Sequence, residues 1–140
     1  MAEREVFADF GRCSENAVSS LKIDGKALET AFDLQDSWYR VISRDRILSE
    51  DFRTASMATV SCASADMQRA DLISRMFDVQ VENMEGAAAA MVCRFYDIPL
   101  FEFRAVSNIA GETNHAKWHI HQALDLLASE VDRFLGLLYT

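Results

Sequence analysis

Glu85 and Asn108 are the two residues whose types and places best suit a chemical task. Glu85 follows a short alternating run, Asp78–Glu82, and begins an alanine-rich one, and Asn108 ends a second run, Pro99–Ser107. A carboxylate only accepts hydrogen bonds, and its two oxygens match the paired hydroxyls of a vicinal diol such as the 2′ and 3′ positions of ribose. A side-chain amide donates and accepts at once, which suits the N7 and O6 edge of a 6-oxopurine. If both runs are strands ending on one edge of a parallel sheet, the two residues face one pocket, where open α/β sheets bind ligands. Each also has a plainer reading. Glu85 can simply complement the first turn of a helix, its carboxylate near the backbone N–H groups, and Asn108 can turn the chain into Ile109-Ala110-Gly111.

Other groups carry weaker signals. His115, His119 and His121 with Glu112 and Asp125 suggest a metal site, His115 and His119 being four apart on an expected helix. His121 points elsewhere, so a polar helix entrance over the pocket mouth is the favoured reading, with no metal and no cofactor. Cys13, Cys62 and Cys93 are odd in number and widely spaced, which suggests neither a disulfide framework nor a thiolate zinc site. Arg104 sits mid-strand and needs a partner if buried: it reads as a contact to a polar substrate group or a phosphate-like anion or, slightly favoured, as a structural pair with Glu102 on its own strand or with Glu82 or Glu85 beside it. Trp118 reads as a core anchor of the last helix, and Met67, Met76 and Met91 as core.

The elements that must position these residues follow from period and punctuation. Glu5–Phe10 reads as a strand ended by Gly11, Gly25–Asp33 as a short helix with Ala27, Leu28 and Ala31 on one face, and Gln35–Phe52 as mixed strand and loop. Ser56–Ala63 reads as a buried strand, Ala65–Phe77 as a helix, Asp78–Glu82 as a strand, Glu85–Tyr96 as a helix and Pro99–Ser107 as the next strand. Lys117–Leu138 closes the chain as a long helix whose apolar residues recur every three to four positions. This βαβ rhythm predicts an α/β fold with three layers, in a single domain over residues 1–140.

Composition narrows the partners. Acidic residues outnumber Lys and Arg 22 to 14, giving a net charge of −8, which argues against a nucleic-acid partner. No apolar run approaches the roughly 18 residues of a membrane span, and the first residues are charged where a signal peptide is apolar. The expectation is a cytoplasmic protein without a membrane partner.

Read together, V-E-N-M-E-G-A-A-A-A at 81–90, I-P-L-F-E-F-R-A-V-S-N at 98–108, and Trp118 with Ala123-Leu124 resemble the C-terminal part of the purine nucleoside phosphorylase and nucleosidase superfamily. Within it they are most similar to the futalosine hydrolase family, which serves menaquinone biosynthesis; a weaker likeness reaches back to V-F-A-D-F-G at 6–11. The resemblance implies a three-layer sandwich of the nucleoside phosphorylase type lacking its N-terminal strands. It implies a nucleoside substrate, Met84 under the sugar and Glu85 on its hydroxyls, with Asn83 beside them. Where methylthioadenosine nucleosidases carry an aspartate that protonates N7 of adenine, this chain has Asn108, which agrees with a 6-oxopurine base such as the hypoxanthine of futalosine. Asn108 then stabilises the departing base by hydrogen bonding. The base-stacking loop of the family corresponds to Ser64, Ala65 and Asp66, where only Ser64 or Ala65 backbone contacts are expected. The Gly-rich loop and water-activating acid of the hydrolases belong to early strands with no counterpart before Glu5. Two functions therefore stay open: an N-ribosyl hydrolase completed by a homo-oligomer or a partner supplying the missing portion, and a non-catalytic truncated relative acting as an assembly or binding module. Phosphorolysis ranks below hydrolysis, because the phosphate loops are also N-terminal.

Overall fold

Small and β-branched residues alternating in short runs make a sheet that is packed on both faces. The structure is a computed structural model that describes residues 1–15 and 17–139. Its strands are β1 (Ala2–Phe7), β2 (Arg12–Ser14), β3 (Ala17–Ser19), β4 (Lys22–Ile23), β5 (Lys26–Ala27), β6 (Ala31–Asp33), β7 (Ala55–Thr59) and β8 (Val81–Asn83). The helices are α1 (Gln35–Trp38), α2 (Arg44–Ser49), α3 (Met67–Phe77), α4 (Gly86–Phe95) and α5 (Ile120–Tyr139), with a 3-10 turn at His115–Lys117. The main sheet has the order β6-β1-β7-β8, β1 and β8 each parallel to β7 and β6 antiparallel to β1.

Register decides which residues reach the site. Glu5, Met57 and Val81 stand in one row across the sheet, and Phe7, Thr59 and Asn83 in the next row, on the same face. That face, which includes Phe32 of β6 opposite Glu5, packs against Ala87 and Ala90 of α4 and against Leu34, Trp38, Ile42 and Ile47. Small residues on α4 let the helix lie close to the strands. The opposite face, with Val6, Ala58 and Val60, packs on Ile73 of α3. The three layers expected from the βαβ rhythm are therefore present.

Three expectations are corrected. Gly25–Asp33 is not a helix: Asp24 and Gly25 both adopt positive φ, 50° and 79°, and turn a β4-β5 hairpin, after which β6 pairs with β1. Gln35–Phe52 contains the short helices α1 and α2 where strand and loop were expected. Pro99–Ser107 joins no strand ladder among the described residues. Its backbone is held instead by single contacts: the Ala2 N–H donates to Glu102 O (2.9 Å), and Trp38 Nε1 donates to Leu100 O (3.0 Å).

Trp38 is thus the anchor of that extended segment, 1% exposed and stacked on Phe101. Trp38→Phe removes the hydrogen bond and leaves a small void, so it is expected to cost about 2 kcal/mol. The shift of the urea unfolding midpoint measures this; an unchanged midpoint would show that Trp38 does not hold the segment.

Candidate active site

Beyond the C-terminal ends of β7 and β8 opens a cleft of about 540 Å³, walled by the loop after β7, the β8-α4 junction and residues 104–112. Ser64, Asn83, Met84, Glu85 and Asn108 all line it, and Ala65 does not. The cleft thus brings Glu85 and Asn108 together although Asn108 ends no sheet strand.

The β8-α4 junction is built around Asn83. Its Oδ1 accepts from the backbone N–H groups of Glu85 (3.0 Å) and Gly86 (2.7 Å), while Thr59 Oγ1 accepts from Ala87 N–H (2.7 Å). The first donors of α4 are therefore taken by Asn83 and by a neighbouring strand. This corrects the expected place of the Glu85 carboxylate, which makes no capping bond and reaches sideways to Arg104 instead. Glu85 Oε2 accepts from Arg104 Nη1 at 2.8 Å. Its Oε1 takes no protein hydrogen bond among the described residues, and the side chain is 68% exposed to the cleft. Met84 lies beside it, half exposed.

Arg104 also donates through Nε to Glu102 Oε1 (2.7 Å), so it bridges two carboxylates rather than serving one. Burial opposes its charge, but the hydrogen bonds to Glu102 and Glu85 outweigh that cost and hold the guanidinium firmly protonated. Behind it Glu5 is fully buried, with Oε2 accepting from Thr59 Oγ1 (2.9 Å) and Oε1 from Asn83 Nδ2 (2.8 Å). Burial first, then the neighbouring Glu102, push the Glu5 carboxyl up to about 7. Sequence reasoning missed Glu5 and Thr59, and the only available signal was a charged residue inside an otherwise buried strand.

The opposite wall is fixed by Glu82, another residue that was not singled out as part of the site. Its carboxylate accepts from both Ser64 N–H and Ser64 Oγ at 2.7 Å, pinning the loop after β7. Asn108 Oδ1 accepts from Ser107 Oγ (2.7 Å), and its Nδ2 donates to Ile109 O (3.1 Å). Each end of the amide retains capacity for one more hydrogen bond. Gly111, at φ 86°, lets the following loop touch Asp66: a Cβ there would lie 2.5 Å from the Asp66 carbonyl carbon.

Trp118 lines the cleft instead of anchoring a core, with Nε1 donating to Glu112 O (2.9 Å) and its ring 4.5 Å from that of His115. His115 lies in the 3-10 turn and His119 precedes α5, so the expected helical spacing of the two does not exist. Among the described residues no group of three or more His, Cys, Asp or Glu is placed to hold a metal. No described helix is long and apolar enough to cross a membrane.

Comparison with known proteins places this geometry. Futalosine hydrolase from Thermus thermophilus is 38% identical over 78 residues, which is 56% of this chain and 35% of that protein. Futalosine hydrolase from Streptomyces coelicolor is 32% identical over 87 residues, 61% of this chain and 37% of that protein. The chain spans little more than a third of these relatives. A solved structure of a Helicobacter pylori futalosine hydrolase mutant has a TM-score of 0.69 at 19% identity, covering 99% of this chain and 58% of that one. The 5'-methylthioadenosine/S-adenosylhomocysteine nucleosidase of Helicobacter pylori has a TM-score of 0.65 at 20% identity, with coverage of 94% and 59%. These structural likenesses are of fold. The sequence profile of the phosphorylase superfamily matches residues 9–138, and the chain belongs to that superfamily.

Proposed function

We propose that this chain carries the ribose- and base-binding side of an N-ribosyl hydrolase acting on a 6-oxopurine nucleoside such as futalosine, with hypoxanthine as the departing base. The observation that carries the reading is the placement of Glu85 and Asn108 on one cleft. The futalosine hydrolase relatives support it, and through them a place in menaquinone biosynthesis. In this reading Met84 and Asn83 flank the sugar, Glu85 Oε1 accepts from its hydroxyls, and Ser64 borders the base. The C1′–N9 bond breaks through an oxocarbenium-like state while water adds to C1′. Asn108 donates to the charge gathering on the departing base, and the water's proton completes the free hypoxanthine.

The test is release of hypoxanthine from futalosine or inosine by the chain alone and by the chain joined to the N-terminal portion of a relative. No release in either form would sink the reading. Asn108→Asp removes the amide donor: the ionised carboxylate opposes O6, and the protonated acid gives its one proton to N7, which serves adenine better, so activity on hypoxanthine-bearing relative to adenine-bearing nucleosides is expected to fall about tenfold or more. An unchanged ratio would remove Asn108 from base selection.

One observation favours a second reading, an assembly or binding module. Phe95 and Tyr96, whose rings meet at the end of α4, are 81% and 66% exposed, an apolar patch of the kind that associates. It extends equally to a homo-oligomer of an active enzyme. A well-folded monomer in sedimentation would remove the motive for both.

A further inference from the structure

We infer that Glu5 and Glu102 are the positioning residues of Glu85, acting through one proton held between their two buried carboxyls. This rests on the reading of Glu85 as the ribose-binding carboxylate. Two chains of contact lead from the acid pair to that residue. Glu5 Oε1 accepts from Asn83 Nδ2 (2.8 Å), and Asn83 Oδ1 holds the backbone N–H of Glu85 (3.0 Å), which fixes where the residue begins. Glu102 Oε1 accepts from Arg104 Nε (2.7 Å), and Arg104 Nη1 holds the Glu85 carboxylate (2.8 Å), which fixes where it ends.

The pair itself converges over Gly86, where an added Cβ would lie 2.3 Å from Glu5 Oε1 and 2.6 Å from Glu102 Oε1. Glu102 Oε2 is buried without a donor among the described residues. Two ionised carboxylates so placed would repel, whereas one proton on the pair removes that repulsion. The surrounding elements offer little else: β7 contributes Thr59, β8 Asn83, and α4 Gly86 and Ala87. The charges in reach are Arg104 and, on the side of Glu102, the Met1 ammonium.

A folded-state pKa raised from 4.5 to about 7 means that the favourable contribution of Glu5 is complete below 4.5 and lost as pH rises through about 7. The two carboxylates then repel; the Asn83 bond to Glu5 tightens, and it is the Glu102–Arg104 chain that is displaced and carries the change to Glu85. Glu5→Gln keeps a neutral donor and acceptor at every pH and so locks the protonated arrangement.

Carbon-13 NMR of the glutamate side-chain carboxyls, on the whole chain, reads this without substrate. In the unsubstituted protein the Glu85 signal is expected to shift near pH 7, with the acid pair, and in E5Q that step is expected to vanish. A Glu85 signal without the step, or one that keeps it in E5Q, overturns the inference. Inosine affinity gives the functional readout. Between pH 6 and pH 8 the dissociation constant is expected to rise about tenfold in the unsubstituted protein and to stay level in E5Q. A rise that persists in E5Q also overturns it. If inosine binds at neither pH while the Glu85 signal still follows the pair and loses that step in E5Q, the nucleoside reading fails and the positioning role stands.

Discussion

Glu85→Gln is expected to lower kcat/KM for hypoxanthine release, and inosine affinity, roughly a hundredfold, since two charge-assisted hydrogen bonds of about 1.5–3 kcal/mol each are weakened at once. The substitution keeps shape and size, so the loss isolates charge and acceptor capacity. It also breaks the ion pair with Arg104, but Glu85 is 68% exposed and such a pair contributes at most about 1 kcal/mol to stability. Arg104 keeps its bond to Glu102. Thermal unfolding of the variant should therefore be almost unchanged while binding collapses, a split that a folding defect cannot produce. If affinity and turnover both stay within about threefold of the unsubstituted chain, Glu85 does not hold the ribose, and the bridge through Arg104 is structural only.

Much of this arrangement was readable before the fold was known. The period of three to four residues in α5, the buried run of β7 and the alanines of α4 each depend on local pattern, and the structure keeps all three with ends shifted by a few residues. Two failures have a common cause. Ala27, Leu28 and Ala31 fit a helical face, yet the Asp24-Gly25 turn and the pairing of Phe32 opposite Glu5 draw the segment into hairpin and sheet. Pro99–Ser107 is locally extended, but extension does not say which strand will pair with it, and its bonds go to Ala2 and Trp38 from far away in sequence. The site shows the same limit. Glu85 and Asn108 could be singled out from residue type and position, whereas the acid pair behind them needs the register that sets Glu5 beside Met57 and Phe7 beside Thr59. Asn83 is intermediate: an asparagine just before a helix commonly takes the first N–H groups, a local preference that here displaced the carboxylate of Glu85.

Gly86→Ala is expected to destabilise the protein by about 2 kcal/mol or more, against the helix preference for alanine. Gly86 has an ordinary helical backbone in the first turn of α4, so propensity alone predicts a gain of roughly 0.5–1 kcal/mol on replacing it. Sterics oppose this, because the new Cβ would lie 2.3 Å from Glu5 Oε1, 2.5 Å from Glu5 Cδ and 2.6 Å from Glu102 Oε1. Side-chain oxygens can often swing away, but these cannot do so cheaply. Glu5 is 0% exposed and held by Thr59 and Asn83, and Glu102 is 7% exposed and held by Arg104. Relief therefore requires either moving α4 off the sheet or breaking bonds between buried polar groups, and each costs more than the propensity gains. Gly136 supplies the control, since it sits in α5 with nothing among the described residues within 4 Å of where a Cβ would stand, so Gly136→Ala should stabilise slightly. Urea unfolding of both variants decides the matter. A Gly86→Ala protein as stable as the Gly136→Ala protein would mean that the acid pair yields freely, and a pair that yields freely cannot fix the position of Glu85.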